Sequence, residues 1–449
     1  MKSRTEKKEG PMRQEEIVAS CREHNFWTWS AQGDVHPLPV ARAEGACFWD
    51  FEGNRYLDFN SGVMCVNIGY GDRRVIDAIV NQAGELVFAG PHTATKVRAE
   101  LGQRLAAVTP AGLDTFLYTL GGSEANENAI KLARAYTGRH KILTRYRSYH
   151  GATHGASAAT GDPRRWEWEP NLMPGVVHFI GPTGDPWSST IAEVDAQTAL
   201  DELESVIRFE GPQTIAAVLL ETIPGTNGVL IPPEGYLRGV REICDRFGIQ
   251  LICDEVMTGF GRTGAWFAVD HEGVKPDLLT MAKGLTSGYA PLGAVAIASH
   301  IVDYFEQRVY QGGLTYNGHP LGLAAAIANI QVLESDQLVE RASSMGVILT
   351  AGIKELAEAH SIVGAVRSIG MMAALDLVDK HEAGRPLSKY AQRSETILEL
   401  RDECLRNGLY LRSHQSTLLI MPPLMIDEDD MRAGLEILST CISRIESRL

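Results

Sequence analysis

LICDEVMTGFGRTGAWFAVDHEGVKPDLLTMAKGLTSGYAPLG, residues 251–293, decides how the chain is read. Ile249 to Cys253 form an apolar run that stops on Asp254 and Glu255. Such runs are buried parallel strands, and an acid at a strand's carboxyl end stands where open α/β sheets receive ligands. A second run, Leu278 to Ala282, follows Pro276 and Asp277 and stops on Lys283 beside Gly284. Lys283 leaves apolar surroundings, which sets it apart from a lysine on a solvated face. Asp254 and Lys283 therefore offer opposite charges to one crevice.

Two readings of that pair are open at this point. One is a structural ion pair at a strand edge. The other is a site for pyridoxal phosphate, whose aldehyde a lysine binds as a Schiff base while a carboxylate keeps the ring nitrogen protonated.

Composition narrows the surroundings. With 449 residues the chain exceeds one small core and suggests a large domain with a smaller one. Apolar content of 44% and charged content of 22% describe a soluble globular protein. The formal charge of −14 argues against nucleic acid or an anionic membrane as partner. No stretch approaches the roughly 18 apolar residues of a membrane span. Met1 to Pro11 is basic, lacks an apolar stretch behind it, and is expected to be a disordered tip rather than a signal peptide. Seven scattered cysteines without a CxxC read as core thiols of a reducing compartment, which points to the cytoplasm. Thirteen histidines show no metal-ligand spacing, so no metal site is expected.

Along the chain, residues 12–24 suggest a short helix, and HNFWTWSAQG (24–33) two tryptophans that pack a small domain or line a pocket. CFWDFEGNRYLDF (47–59) reads as a hairpin, and Asp72 caps a helix running to Val87. A strand over Thr115–Leu120 leads into GGSEANENAIKLARAY (121–136). Strand, glycines, serine and amphipathic helix make a phosphate nest, in which first-turn N–H groups and the helix dipole meet an anion. This stretch carries neither a Walker lysine nor GxGxxG. Lys141–Arg145 is a strand, after which Tyr149 and His150 stand where an aromatic side chain can stack on a planar ring. Gln213–Leu220 is a buried strand ending at Glu221, and a crossover helix over 232–247 leads to the Asp254 strand. After GGLTYNGHP (312–320) an alanine-rich helix runs from Leu321 to Leu333. From about 335, helices alternate with short strands near 366–377 and 409–422, and a helix over 427–447 closes the chain. The expected fold class is thus α/β, with a mostly parallel sheet in a large domain (66–334). A smaller α+β domain (335–449) would be joined in space by the N-terminal segment (1–65).

GGSEANENAIKLAR, YHG, LICDEVMTGFGRTG, AKGLTSGYAPLGA and TYNGHPLG together resemble class III, omega-type aminotransferases, which are fold-type I pyridoxal phosphate enzymes. The resemblance covers nearly the whole chain. HNFWTWSAQG and YLDFNSGVMCVNIGYGD are most similar to enzymes acting on taurine, β-alanine or related ω-amino compounds. The resemblance implies that Lys283 binds the cofactor aldehyde and shuttles the proton, and that Asp254 pairs with the pyridinium nitrogen. It implies Gly122 and Ser123 on the phosphate, Tyr149 stacked on the ring, and Val256 against the other face. Thr315 would reach the phosphate from the neighbouring subunit of a homodimer, which could assemble further into a tetramer. Arg412 matches a mobile arginine that pairs with the α-carboxylate of a keto acid. Trp29, Val63, Met64 and Phe88 are candidate linings of an apolar substrate pocket.

One departure bears on the acceptor. Many γ-aminobutyrate and ornithine aminotransferases carry EPVQGEGG, whose second glutamate gates an arginine. This chain has ETIPGTNG (221–228), with Thr226 at that place, which favours pyruvate over 2-oxoglutarate. Two rivals share parts of the pattern: a pyridoxal phosphate aminomutase or racemase on the same scaffold, and a non-catalytic nucleotide-binding α/β protein.

Overall fold

The structure, a computed structural model, describes residues 12–182, 194–381 and 384–449. The basic tip Met1–Pro11 lies outside the described residues.

The long apolar runs become the centre of a seven-stranded sheet. Its spatial order is Thr115–Thr119, Gly293–Ile297, Leu278–Met281, Gln250–Asp254, Ile215–Glu221, Lys141–Arg145 and Val176–Phe179. Six strands run one way, and only Gly293–Ile297 runs against its two neighbours. Every residue of Ile215–Glu221 and Gln250–Asp254 is buried, because helices cover both faces. On one face lies the helix Gly122–Thr137, whose Ala125, Ala129 and Ala133 let it approach Ala216, Ala217 and Ile252 closely. The other face takes the amphipathic helix Tyr236–Phe247, which ends on Gly248 in the left-handed region.

That architecture lines up the carboxyl ends of the parallel strands. Glu221 is the register partner of Asp254, and Asp254 that of Thr280. Lys283 follows two residues after the Leu278–Met281 strand, with a left-handed φ of 43°. The turn is packed so tightly that a Cβ on Gly284 would lie 2.6 Å from the Asn67 amide nitrogen.

The flanking segments follow their sequence signals closely. The expected hairpin is the antiparallel pair Cys47–Trp49 and Arg55–Asp58. Asp50 closes its turn by accepting from the backbone of Glu52 and Asn54, the Asn54 amide and the Tyr56 hydroxyl. Arg55–Asp58 also pairs in parallel with Leu409–Tyr410, so N-terminal and C-terminal segments share one sheet. Asp72 caps the helix Arg73–Glu85 through the Arg74 N–H at 2.9 Å.

The short strands expected near 366–377 and 409–422 are present, and the structure shows how they are divided. The run near 366–377 is a hairpin, Val363–Ile369 and Met372–Leu377, turning at Gly370. Gly370 has a φ of +54° and lies so close to Thr263 that a Cβ there would clash, so the chain reverses instead of continuing. Likewise the run near 409–422 breaks into Leu409–Tyr410, Arg412–His414 and Thr417–Ile420, the last two turning through Gln415 in the left-handed region.

Arg262 is fully buried. Its guanidinium donates to the Met371 carbonyl at 3.0 Å, the Pro422 carbonyl at 2.5 Å, the Ser61 hydroxyl at 3.1 Å and the Asn67 side-chain oxygen at 2.9 Å. Among the described residues no helix is long and apolar enough to cross a membrane.

Candidate active site

A cavity of about 370 Å³ opens at the carboxyl ends of the parallel strands. Gly122, Ser123, Tyr149, Asp254, Val256 and Lys283, which the sequence reading singled out from four separate stretches, all line it.

Asp254 is held by three donors. The Asn126 amide donates to its Oδ2 at 2.7 Å, and the Val256 N–H to its Oδ1 at 3.0 Å. The ring Nδ1 of buried His150 lies 2.8 Å from Oδ2. Behind these, the Thr280 hydroxyl donates to the Asn126 oxygen at 2.8 Å, and Thr144 lies 3.3 Å from the other His150 nitrogen. The carboxylate is thereby locked in orientation and still reaches the cavity.

Lys283 sits against this arrangement with its pKa lowered. Burial disfavours the ammonium form, and the opposing pull of Asp254 does not overcome it. A lysine so placed supplies a neutral, nucleophilic amine more readily than one in water.

One wall of the cavity is formed by the start of the Gly122–Thr137 helix, whose first-turn N–H groups have no partners within the helix and can meet an anion. Gly122 is bare for a reason: a Cβ there would lie 2.8 Å from both Val256 methyls. The Ser123 hydroxyl accepts from the Ala152 N–H at 3.2 Å. Tyr149 is fixed from behind, its N–H donating to the Glu221 carboxylate at 2.8 Å. Lysine, carboxylate, ring wall and helix N-terminus are the set of groups that pyridoxal phosphate requires.

Six other candidates do not line this cavity within the single chain, and one of them, Val63, is exposed. Met64 is buried one layer back, in an apolar cluster with Ile223 and Met257, and Met257 itself lines the cavity. Thr315 is exposed on the loop before the Pro320–Ser335 helix. Phe88, 46% exposed, packs its ring against Tyr316 and His319 of that same loop. Trp29, 57% exposed, has the Arg412 guanidinium 5.9 Å above its ring. Phe88 with Tyr316 and His319, and Trp29 with Arg412, thus form two separate clusters.

Three residues that the sequence reading passed over belong to the site. Asn126 stands on the alanine face of its helix, four residues after Gly122, and a polar side chain on a buried helical face was its available signal. Met257 lines the cavity beside Val256. Arg164 touches two lining residues, Tyr149 and Thr226, and no local pattern pointed to it.

The family described as "Aminotransferase class-III" matches residues 29–442. The chain belongs to the class-III aminotransferases. A putrescine–pyruvate aminotransferase of Pseudomonas aeruginosa is 35% identical over 93% of this aminotransferase and 96% of its own length. A taurine–pyruvate aminotransferase of Bilophila wadsworthia is 32% identical over 94% and 96%. Among solved structures, a taurine:2-oxoglutarate aminotransferase of Bifidobacterium kashiwanohense, in complex with PLP and glutamate, is similar with a TM-score of 0.94. The identity is 36%, over 98% of this chain and 100% of that one. The fold is that of fold-type I pyridoxal phosphate enzymes, and the cofactor of this class-III aminotransferase is pyridoxal 5′-phosphate. Family membership replaces the non-catalytic nucleotide-binding alternative.

Proposed function

We propose that this aminotransferase moves the amino group of an ω-amino acid or similar primary amine, of the taurine or β-alanine kind, to pyruvate by a ping-pong route. The observation that carries the reading is the convergence of Lys283 and Asp254 on one cavity at the N-terminus of the Gly122–Thr137 helix. Bound pyridoxal phosphate supplies an electron sink that makes the hydrogen on the substrate's amine-bearing carbon acidic. Lys283 Nζ takes that proton and returns one, a role suited to an amine whose charged form burial disfavours. Asp254 holds the pyridinium nitrogen, Gly122 and Ser123 the phosphate, and Tyr149 and Val256 the two ring faces.

Thr315 serves the phosphate of a neighbouring subunit, so the working unit is a homodimer. Exposure of Thr315, Tyr316 and Phe88 on one chain supports this. The division into a large unit (66–334) and a small one (1–65 with 335–449) is supported by the strand pairing of Arg55–Asp58 with Leu409–Tyr410. All seven cysteines are free, which supports a cytoplasmic setting. Arg412 takes the acceptor's α-carboxylate, and Thr226 in place of a gating glutamate supports pyruvate. Two relatives are named for pyruvate and the solved neighbour for 2-oxoglutarate.

The test is the visible absorbance of the cofactor-loaded protein. Taurine or β-alanine should bleach it in stoichiometric amount, and pyruvate should restore it with release of alanine. If amines rearrange or epimerise without any keto acid being consumed, the enzyme is a mutase or racemase and the proposal fails.

A further inference from the structure

Lys283 opens the short turn Lys283–Leu285 and stands in the left-handed region, with a φ of 43° that side chains other than glycine rarely adopt. Backbone of that kind persists only where its surroundings fix it. Two buried asparagines meet this turn. Asn67, with Phe260, crowds Gly284, whose Cβ would lie 2.6 Å from the Asn67 amide nitrogen and 3.0 Å from Phe260. Asn329, on the helix Pro320–Ser335, does more than crowd it. Its Nδ2 donates to the Gly284 carbonyl at 2.8 Å and to the Leu285 carbonyl at 3.1 Å. No other donor among the described residues reaches either carbonyl.

Asn329 is poorly explained by packing. It is fully buried, and every other buried residue of its helix is apolar. Its own Oδ1 has no hydrogen-bond partner among the described residues. A buried acceptor without a donor costs stability, so an apolar side chain would suit this helix face better. Turning the amide over would set that oxygen against two carbonyls, so the Lys283 turn is what fixes its orientation. Asn329 does not line the cavity, and whatever it does for the reaction it does through that turn.

We propose that Asn329 is a positioning residue for transamination. By holding the Gly284 and Leu285 carbonyls it keeps Lys283 in its left-handed conformation, and so keeps Nζ at the cavity beside Asp254. Without those two hydrogen bonds the turn relaxes toward ordinary backbone and carries the amine toward water. The charged and titratable groups that act on this amine are Asp254, Cys65, Glu221 and Arg164, and a displaced lysine would leave all four together with its buried setting. The proposal rests on the reading of Lys283 as the reacting amine.

The experiment compares wild type, Asn329→Leu, which keeps bulk and removes the donors, and Asn329→Asp. In the cofactor-free proteins, trace acetylation with acetic anhydride across pH, read by mass spectrometry of the peptide that holds Lys283, gives the midpoint at which this amine loses its proton. Asn329→Leu should raise that midpoint by about one pH unit toward the ordinary lysine value, a tenfold change in proton affinity. In the cofactor-loaded proteins its kcat should fall about tenfold with taurine and with butylamine alike, while KM stays within about twofold, because the reacting amine is displaced and recognition is not. A carboxyl facing two carbonyls stays protonated and keeps one donor, so Asn329→Asp should fall between the two on both readouts.

A lower urea midpoint in Asn329→Leu with the Lys283 midpoint and kcat unchanged would make Asn329 a structural residue and overturn the proposal. So would a kcat loss without any movement of the Lys283 midpoint. If Asn329→Leu does not fold, Asn329→Ala, which adds no bulk, is judged by the same two readouts. Lys283→Ala separates the two readings: if it still transaminates, the Lys283 reading fails and takes this proposal with it. If it is inactive while the Asn329 variants match wild type, only the proposal fails.

Discussion

Glu221 and Asp254 stand opposite each other in neighbouring parallel strands, two buried acids in direct register. They are used differently. Both Glu221 oxygens accept backbone N–H groups, from Tyr149 at 2.8 Å and Gly225 at 3.0 Å, and burial raises the pKa of this carboxyl. Glu221 therefore shapes the loops that carry the cavity wall. Asp254 is oriented by side chains of the next layer, Asn126 and His150, and is the acid that faces the ring nitrogen in our reading.

Replacing Lys283 by Ala should leave a folded protein whose transamination rate falls by roughly 10²–10⁴-fold or more. The lowered Lys283 pKa also has a stability sign. The unfolded chain binds this proton more tightly than the native apo-protein, so the stability linked to the neutral amine is present above the ordinary lysine range. It is lost as pH falls through the lowered value. Urea midpoints of the apo-protein should rise with pH over that interval, and the rise should be missing in Lys283→Ala.

Glu255 predicts the opposite slope at lower pH. It is fully buried, and four donors surround it: the hydroxyls of Thr222 and Thr258 and the N–H groups of Ala268 and Val269. Burial outweighs them and pushes the pKa up to about 7. Stability linked to the protonated acid is present below about 4.5, and is lost as pH rises to about 7. Glu255→Gln should flatten this slope in urea titrations. It should also lower stability by about 1–3 kcal/mol, because its amide would face donors.

Gly122→Ala should weaken pyridoxal phosphate binding, since the new methyl would meet Val256 at 2.8 Å. A cost of about 1–3 kcal/mol is expected for such overpacking. Adding Val256→Ala should recover most of it. Equilibrium dialysis of the two single variants and the double variant gives the coupling, and additive losses would exclude this contact as the cause.

Thr315→Ala should raise the dissociation constant of pyridoxal phosphate several-fold while sedimentation shows an unchanged dimer, for one lost hydrogen bond to a charged oxygen. Subunits that remain monomeric at every concentration, with full cofactor binding, would remove Thr315 from the site.

Most of the central sheet was legible because its strands are continuous apolar runs that end on a charge. Lys141–Arg145 matched its expected bounds, and Asp254 and Lys283 identified themselves by emerging from such runs. The Gly122–Ser123 wall of the cavity was legible because glycines, serine and helix are contiguous. Asn126 and Arg164 were not, since their partners Asp254 and Tyr149 lie 128 and 15 residues away and only folding brings them together. The C-terminal strands were half legible: the apolar runs marked them, but the reversal at Gly370 depends on the approach of Thr263 from another part of the chain. Thr315, Phe88, Trp29 and Arg412 fall at the chain's exposed or half-exposed surface, where the sequence carries no periodic signal.

Arg262 is an ion whose four hydrogen-bond partners are all neutral and come from segments near residues 61–67, 371 and 422. Losing water around a guanidinium is tolerable only when every one of those acceptors is already in place. A partly assembled chain, with the cavity loop formed but the C-terminal hairpin undocked, would strand that charge. The arginine thus makes intermediates costly and couples the birth of the catalytic cavity to the arrival of the chain's last quarter.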